Sequence, residues 1–416
     1  MNTKHLKTRI LDLALQGKLV ENSKISEKSN FRIPTDFKPP FGIPNSWQWV
    51  KLEEVCNGSS AKLTLKELKQ SGKFKVFGAT GLVGYLDTFD KENSCIAIIK
   101  DGAGVGRVQI LPPKSSALAT MQYIENKENI IKLEFLARIL IWLNLGKTFN
   151  GSAIPHIYFR NYKNFYIPLP PLDEQERIVK KIDELFSQID ILETSKQSLL
   201  KNIKHTKTRI LDLALQGKLV ENSRIPTDLN SRIPTDFNPP FKIPNYWAWV
   251  KLGDICEISS GGTPSRNEAE FWENGTIPWL KIADIKDDYV NSSSEFITQK
   301  GLENSSAKIF KKGTLLFTIF ATLGEVAILN IDASTNQAIV GLTPKKDNYI
   351  TKFIFFALKN IKNSVNLIGR GATQKNINQT ILKNLYIPLP PLDEQERIVK
   401  KIDELFEILE VIENSL

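Results

Sequence analysis

The sequence predicts an α+β protein with two mixed α/β globular domains. A long antiparallel pair of helices, a coiled coil with a pseudo-twofold internal repeat, joins them. Three observations carry this reading. Tyr166–Phe186, YIPLPPLDEQERIVKKIDELF, returns without a change as Tyr386–Phe406. Lys7–Ser23, KTRILDLALQGKLVENS, returns as Lys207–Ser223. Between the two inner copies runs a single apolar seam.

The seam defines the central element. Asp173, followed three residues on by Glu176, reads as a capping box after Pro170 and Pro171. Apolar residues then recur at steps of four and three: Ile178, Ile182, Leu185, Ile189, Leu192, Leu199, Ile203, Ile210 and Leu213, broken only at Lys196 and Thr206. Gly217 supplies the stop. A helix over 173–216 is roughly 65 Å long. So narrow a seam asks for a partner helix. The chain holds that partner in two pieces. Residues 393–416 copy 173–196 with the seam Ile398, Ile402, Leu405, Leu409 and Ile412, and residues 1–17 copy 201–217. Antiparallel pairing would give a pseudo-twofold molecule with neighbouring termini, its Lys180, Lys181, Lys400 and Lys401 flanking the seam.

In chain order, residues 1–23 are a conserved short helix and its exit. Residues 24–165 are the first globular region, opened by a linker rich in Ser, Asn and Pro. Residues 166–223 are the central region, 224–385 the second globular region and 386–416 the closing helix. PPFGIPNSWQWVKL (39–52) and PPFKIPNYWAWVKL (239–252) start the globular regions. Trp47 and Trp49 at period two suggest an entry strand with a buried ring or two. GKFKVFGATGLVGYLDTF, CIAIIKDGAGVGRVQIL and KGTLLFTIFATLGEVAIL read as short strands broken by glycine turns, with helices over 134–145 and 349–361. The helices and linkers are nearly identical between halves while the globular regions diverge. That contrast describes one scaffold carrying two different heads.

Composition narrows the function classes. The chain has 416 residues and a net charge of +9, a moderate lean towards polyanions. No apolar run reaches membrane length, Met1–Arg9 is polar and basic, and the Cys count of 3 fits a reducing cytoplasm. Cys56 and Cys256 are repeat equivalents and read as core residues. Nothing has metal-ligand spacing. Two motifs are decoys. Asn238-Pro-Pro-Phe241 spells the tetrapeptide of amino-methyltransferases, but the first copy has Lys38 at that place and no cofactor loop precedes it. The GxGxG at 102–106 leads into a strand, where a phosphate cradle needs a helix N-terminus.

PLPPLDEQERIV at 168–179 and 388–399, with SGGTPSR (260–266), IPWLKIADI (277–285) and KDGAGVGRV (100–108), is similar to the specificity (S) subunit of type I restriction–modification systems. The resemblance covers the whole chain. It implies that each head is a target recognition domain reading one half of a split double-stranded DNA site. The helices then set the spacing and carry methyltransferase (M) subunits, two in number, and restriction (R) subunits join the same core. It also implies no catalysis and no cofactor in this chain: S-adenosylmethionine, ATP and magnesium belong to the partners. A helical scaffold whose heads bind proteins is the rival reading.

The basic residues of the heads are the candidates for DNA contact. In the first these are Lys62, Lys73, Lys75, Lys100, Arg107, Lys114, Lys147 and Arg160, with His156. In the second they are Arg266, Lys281, Lys308, Lys311, Lys312, Arg370 and Lys375, with Gln374 and Asn376. Paired donors or acceptors favour Arg370, Gln374, Asn376, His156 and Arg160 for base readout.

Overall fold

A computed structural model describes residues 3–23, 36–102, 104–127, 129–147, 156–221, 237–319, 324–346, 349–368 and 378–416, with the backbone alone for 361–368. The chain divides into two units, Met1–Lys196 and Gln197–Leu416, and the boundary falls inside the central helix, Leu172–Leu215.

The first unit contains β1 (Gln48–Lys51), β2 (Cys56–Ser60), β3 (Phe74–Gly78), β4 (Gly81–Leu86), β5 (Cys95–Ile99), β6 (Val108–Leu111), β7 (Ser115–Ala117), β8 (Met121–Asn126) and β9 (Tyr166–Leu169). They form a sheet in the order β2-β8-β5-β6, a smaller one in the order β4-β3-β7, and the antiparallel pair β1-β9. The larger sheet packs on a head helix, Leu133–Leu143, whose Phe135, Leu136, Ile139 and Leu140 are wholly buried. Cys56 sits in this core, and burial pushes its thiol up to about 12. The second unit contains β10 (Ala248–Lys251), β11 (Cys256–Ser260), β12 (Ile277–Leu280), β13 (Tyr289–Val290), β14 (Glu295–Ile297), β15 (Leu315–Thr318), β16 (Val326–Leu329), β17 (Ser334–Thr335), β18 (Ile339–Pro344) and β19 (Tyr386–Leu389). Its sheets run β11-β18-β15-β16-β13, β14-β12-β17 and β10-β19, over a head helix at Thr351–Ile368. The strand order is that of the first unit with β13 added at one edge.

Within each unit the helices pair as the repeats require. The N-terminal helix, Thr3–Leu15, runs antiparallel to the first half of the central helix. Lys7 pairs with Asp190, while Ser23 beyond its far end donates to Asp173 and Glu174. In the second unit Lys207 pairs with Glu410 and Glu413 of the C-terminal helix, Leu392–Asn414, and Glu221 accepts from Arg397. Gly17 and Gly217 both take φ +68°, and the amide of the next residue bonds back to Leu13 or Leu213, ending each helix.

Ile178, Ile182, Ile189, Ile203, Ile210, Ile398 and Ile402 are buried, and Leu185, Leu213, Leu405 and Leu409 are half-buried. Leu192, Leu199 and Ile412 are exposed, against the seam pattern. Leu192 and Leu199 lie where the pairing partner of each unit runs out, and Ile412 lies near Lys207, beside the seam break at Thr206. The lysines beside the seam are surface groups: Lys181 and Lys401 pair with Glu184 and Glu404.

The capping box is a second correction. The helix begins at Leu172, and the carbonyl of Pro171 takes the amides of Glu174 and Gln175. Asp173 is therefore inside the first turn, paired with Arg177, and Glu176 pairs with Lys132. The decoy phenylalanine Phe241 packs on Trp249, as Phe41 does on Trp49.

Candidate nucleic-acid interface

Each head has a near end fixed to the helices and a far end free of them. In the first unit β8 finishes at Asn126, and the chain passes directly to Lys132, whose amide bonds to Gln175 of the central helix. The start of β8 is therefore the far end. There the Lys100 and Asp101 amides donate to Thr120, and the Ala61 amide donates to Met121, which places Lys62 alongside. The Ile157 amide donates to the Lys100 carbonyl and brings in 156–160. His156 Nδ1 lies 2.6 Å from Asp101 Oδ1. Lys100 and Arg160 approach the Tyr158 ring at 5.4 and 5.0 Å. Lys100 also lies 3.6 Å from Asp101.

The glycine turn completes this end. Gly102, Gly104 and Gly106 all have φ between +84° and +90°, which turns β5 back into β6. A Cβ on Gly106 would lie 2.2 Å from the Gly146 nitrogen, so only glycine allows the approach that brings in Lys147. Arg107 reaches the Ala79 carbonyl at 3.4 Å. Six candidates from four stretches thus converge: Lys62, Lys100, Arg107, Lys147, His156 and Arg160. Lys73 and Lys75 do not join them, since they lie at the other end of β3, where Lys75 faces Tyr85 and Ser115. Lys114 lies 3.6 Å from Glu92.

The second head builds its far end differently. Arg266 lies over Trp272 at 3.6 Å and near Trp279 at 4.8 Å. Glu295 ties down both Arg266 (2.6 Å) and Lys281 (2.5 Å). Hydrogen bonding from Lys281, then from Arg266, holds the Glu295 carboxyl below the usual carboxylate range. Trp279 donates to Gly262, and Thr263 donates to Gln337 at 2.5 Å. Lys311, paired with Asp332, and Lys312 stand before β15, away from these loops, whereas the exposed Lys308 follows Ser306 and Ala307, which pack against Gly262. Arg370, Gln374, Lys375 and Asn376 lie outside the described residues.

Sequence reasoning missed Tyr158, Asp101, Trp272 and Glu295, whose roles depend on contacts between distant stretches. It also missed the function of the LDEQ motif. Glu174, wholly buried, accepts from the Trp47 indole (2.9 Å) and the Ser23 amide (2.9 Å). Gln175 accepts from the Lys132 amide and donates to Pro170 and Ile130. The exact return of this motif was the available signal. Among the described residues, no group of three or more His, Cys, Asp or Glu could hold a metal ion, and no helix is long and apolar enough to cross a membrane.

Two heads of one strand order, mounted on repeated helices, define a duplicated specificity-domain protein. The family model for the type I restriction modification DNA specificity domain matches residues 44–201 and 244–416. The chain belongs to that family. It is 24% identical over 394 residues to the type I restriction enzyme EcoDI specificity subunit of Escherichia coli, covering 90% of this chain and 84% of that protein. It is 33% identical over 174 residues to the MjaIX specificity subunit of Methanocaldococcus jannaschii, a match spanning 41% of this chain and 40% of that protein. In fold it resembles the HsdS subunit from Thermoanaerobacter tengcongensis (TM-score 0.55, 20% identity, 90% of this chain and 93% of that one). It also resembles a chain solved in a study of complex assembly and conformational transition of the type I R-M system (TM-score 0.65, 21% identity, 90% and 94%).

Proposed function

We propose that this chain is the DNA-recognition subunit of a type I restriction–modification enzyme. Each head, 24–165 and 224–385, reads one half of an asymmetric, bipartite site in double-stranded DNA. The helices of 1–23, 166–223 and 386–416 hold the heads apart and receive two methyltransferase subunits, through which restriction subunits join. Adenine methylation and cleavage belong to those partners, with S-adenosylmethionine, ATP and magnesium. One observation carries this reading: two heads of the same strand order present different side chains at the same far end, on a frame whose Lys7–Ser23 and Tyr166–Phe186 stretches return unchanged. A protein-binding scaffold has no need for convergent cations there.

Methylome sequencing of cells expressing this chain with its cognate methyltransferase tests the proposal. The expected motif is two unlike blocks separated by unspecified bases. A continuous or palindromic motif would refute it. Binding of the assembled complex to duplex DNA should also weaken steeply as salt rises.

A further inference from the structure

Both heads are fastened to the helices by three side chains of the helical frame, and the three are the same in the two units. Asp12 of the N-terminal helix accepts from the Trp142 indole at 2.8 Å. Its repeat equivalent Asp212 accepts from Asn360 Nδ2 at 3.0 Å. Gln175 accepts from the Lys132 amide at 2.8 Å, and Gln395 accepts from the Ile350 amide at 3.0 Å. Asp183 pairs with Arg138, and Asp403 pairs with Lys352 at 2.6 Å.

The acceptors are fixed and the donors vary. Each pair of acceptors lies in a stretch repeated without change. On the head side an indole stands where the other copy has an amide, at the same ten-residue distance from the anchored backbone N–H. The cation differs further: it sits six residues beyond that N–H in the first head and two beyond it in the second, one turn apart on a helix. A face of the helix is preserved while residue and position are not.

We infer that Asp12, Gln175 and Asp183, with their repeats Asp212, Gln395 and Asp403, form a common socket that orients whichever head is seated in it. This rests on the DNA-reading function proposed above. The three anchors are spread along one head helix and reach two helices of the frame, which fixes the position and direction of that helix. Two lie ~15 Å apart along the head helix. The reading loops stand at the opposite end of the sheet from these anchors, so a small slip at the socket becomes a larger displacement there. The socket therefore acts on the spacing of the two half-sites and leaves the bases read by each head to the far loops. The Arg138–Asp183 pair is half exposed (side chains 25% and 50%), so its part is directional, with little weight in stability.

Charge reversal in the first unit tests this. Asp183→Arg and Arg138→Asp are each made in the full chain, then combined, and expressed with the methyltransferase subunit for methylome sequencing. Each single change should lower modification at the normal gap about threefold and add sites whose gap differs by one base pair. Both half-site sequences should stay as they were. The double reversal should restore the single gap. If the single variants lose modification with no new gaps while thermal unfolding falls, the pair is only structural and the inference fails. It fails equally if the double reversal refolds without restoring the gap. Should the single reversals not fold, Trp142→Phe removes the Asp12 contact with little change in packing, and an unchanged gap at full modification overturns the inference. A wild-type motif that is not bipartite would instead refute the functional reading on which it rests.

Discussion

The two heads share a strand order and part company in the charges carried at its far end. Register gives the correspondence. Ala61 and Gly261 make the same bond to the start of β8 or β18, and Lys100 and Ile319 make the same bond one residue earlier. Arg107 and Glu325 likewise close the turn after β5 and β15. Four cations of the first head, Lys62, Lys100, Arg107 and Arg160, thus correspond to Gly262, Ile319, Glu325 and Thr380. Each head region carries 15 Lys and Arg, but 53–165 has 10 Asp and Glu where 253–385 has 13. In the second head the far-end cations Arg266 and Lys281 share one carboxylate. Backbone pairing dictates where a loop lies; it leaves the chemistry of the loop open. One topology therefore carries two different surfaces at its far end.

The strongest way to break this comparison is to remove one side of it. Replacing 53–165 with a head of different specificity should change one block of the methylated motif completely and leave the other untouched. Methylome sequencing reads both blocks at once. A change in both would mean the far ends do not read independently.

A smaller effect separates the electrostatics. Lys62, Arg107 and Arg160 have no acidic partner among the described residues. Changing all three to Ala should lower the slope of log affinity against log salt by about 2.7 for three phosphate contacts, at ~0.9 each. Changing Thr380 and Ile319 to Ala should leave the slope alone, because neither carries charge. Titration of the assembled complex with duplex DNA at several salt concentrations measures both. Equal slopes for the two sets would place the grip elsewhere.

These differences mark what was legible in the sequence. The helices could be read because apolar periodicity is local and the repeats are identical. Gly102, Gly104 and Gly106 announced a turn because positive φ selects glycine. The convergence of Lys62, Lys100 and His156 could not be read, since strand pairing between distant stretches sets it. Asp173 misled for a related reason. Its spacing from Glu176 matches a capping box, yet Pro171 already holds the first turn and frees Asp173 for Arg177 and Ser23. The near end was equally hidden: LDEQ looks like a helix start, and its Glu and Gln prove to be ties to Trp47 and Lys132.

The near ends also differ at one atom. The Trp47 indole donates to the buried Glu174 carboxylate, whereas the Trp247 indole faces the Tyr246 side chain. Trp47→Phe should cost about 2 kcal/mol through the lost bond to a buried carboxylate. Trp247→Phe gives up a neutral tyrosine neighbour in place of a buried carboxylate and should cost less. Hydrogen exchange localises the effect: protection of Ile10–Leu15 should fall in the first variant by more than protection of Ile210–Leu215 falls in the second. Equal losses would mean ring packing alone matters at both sites.

The smallest expected difference is acid sensitivity, which belongs to the second head. Glu295 faces Trp279 on β12, and the matching position in the first head, facing Val76 on β3, is Gly84. Only the second head has a carboxylate here. Lys281 and then Arg266 lower the folded pKa of Glu295 below its unfolded value. The stability it contributes is therefore present above the ordinary carboxylate pKa of about 4.3 and lost as pH falls through the lower folded value. Glu295 is 27% exposed and both partners are more so, which limits the contribution to about 1 kcal/mol or less. Glu295→Gln should remove that part of the acid dependence, flattening the loss of protection in β12 and β14 between about pH 5 and 3. The same scan of β3 and β4 should be unchanged. If Glu295→Gln leaves the acid profile of β12 as it was, the carboxylate is not what holds Arg266 against Trp272, and the aromatic stack alone sets that side chain.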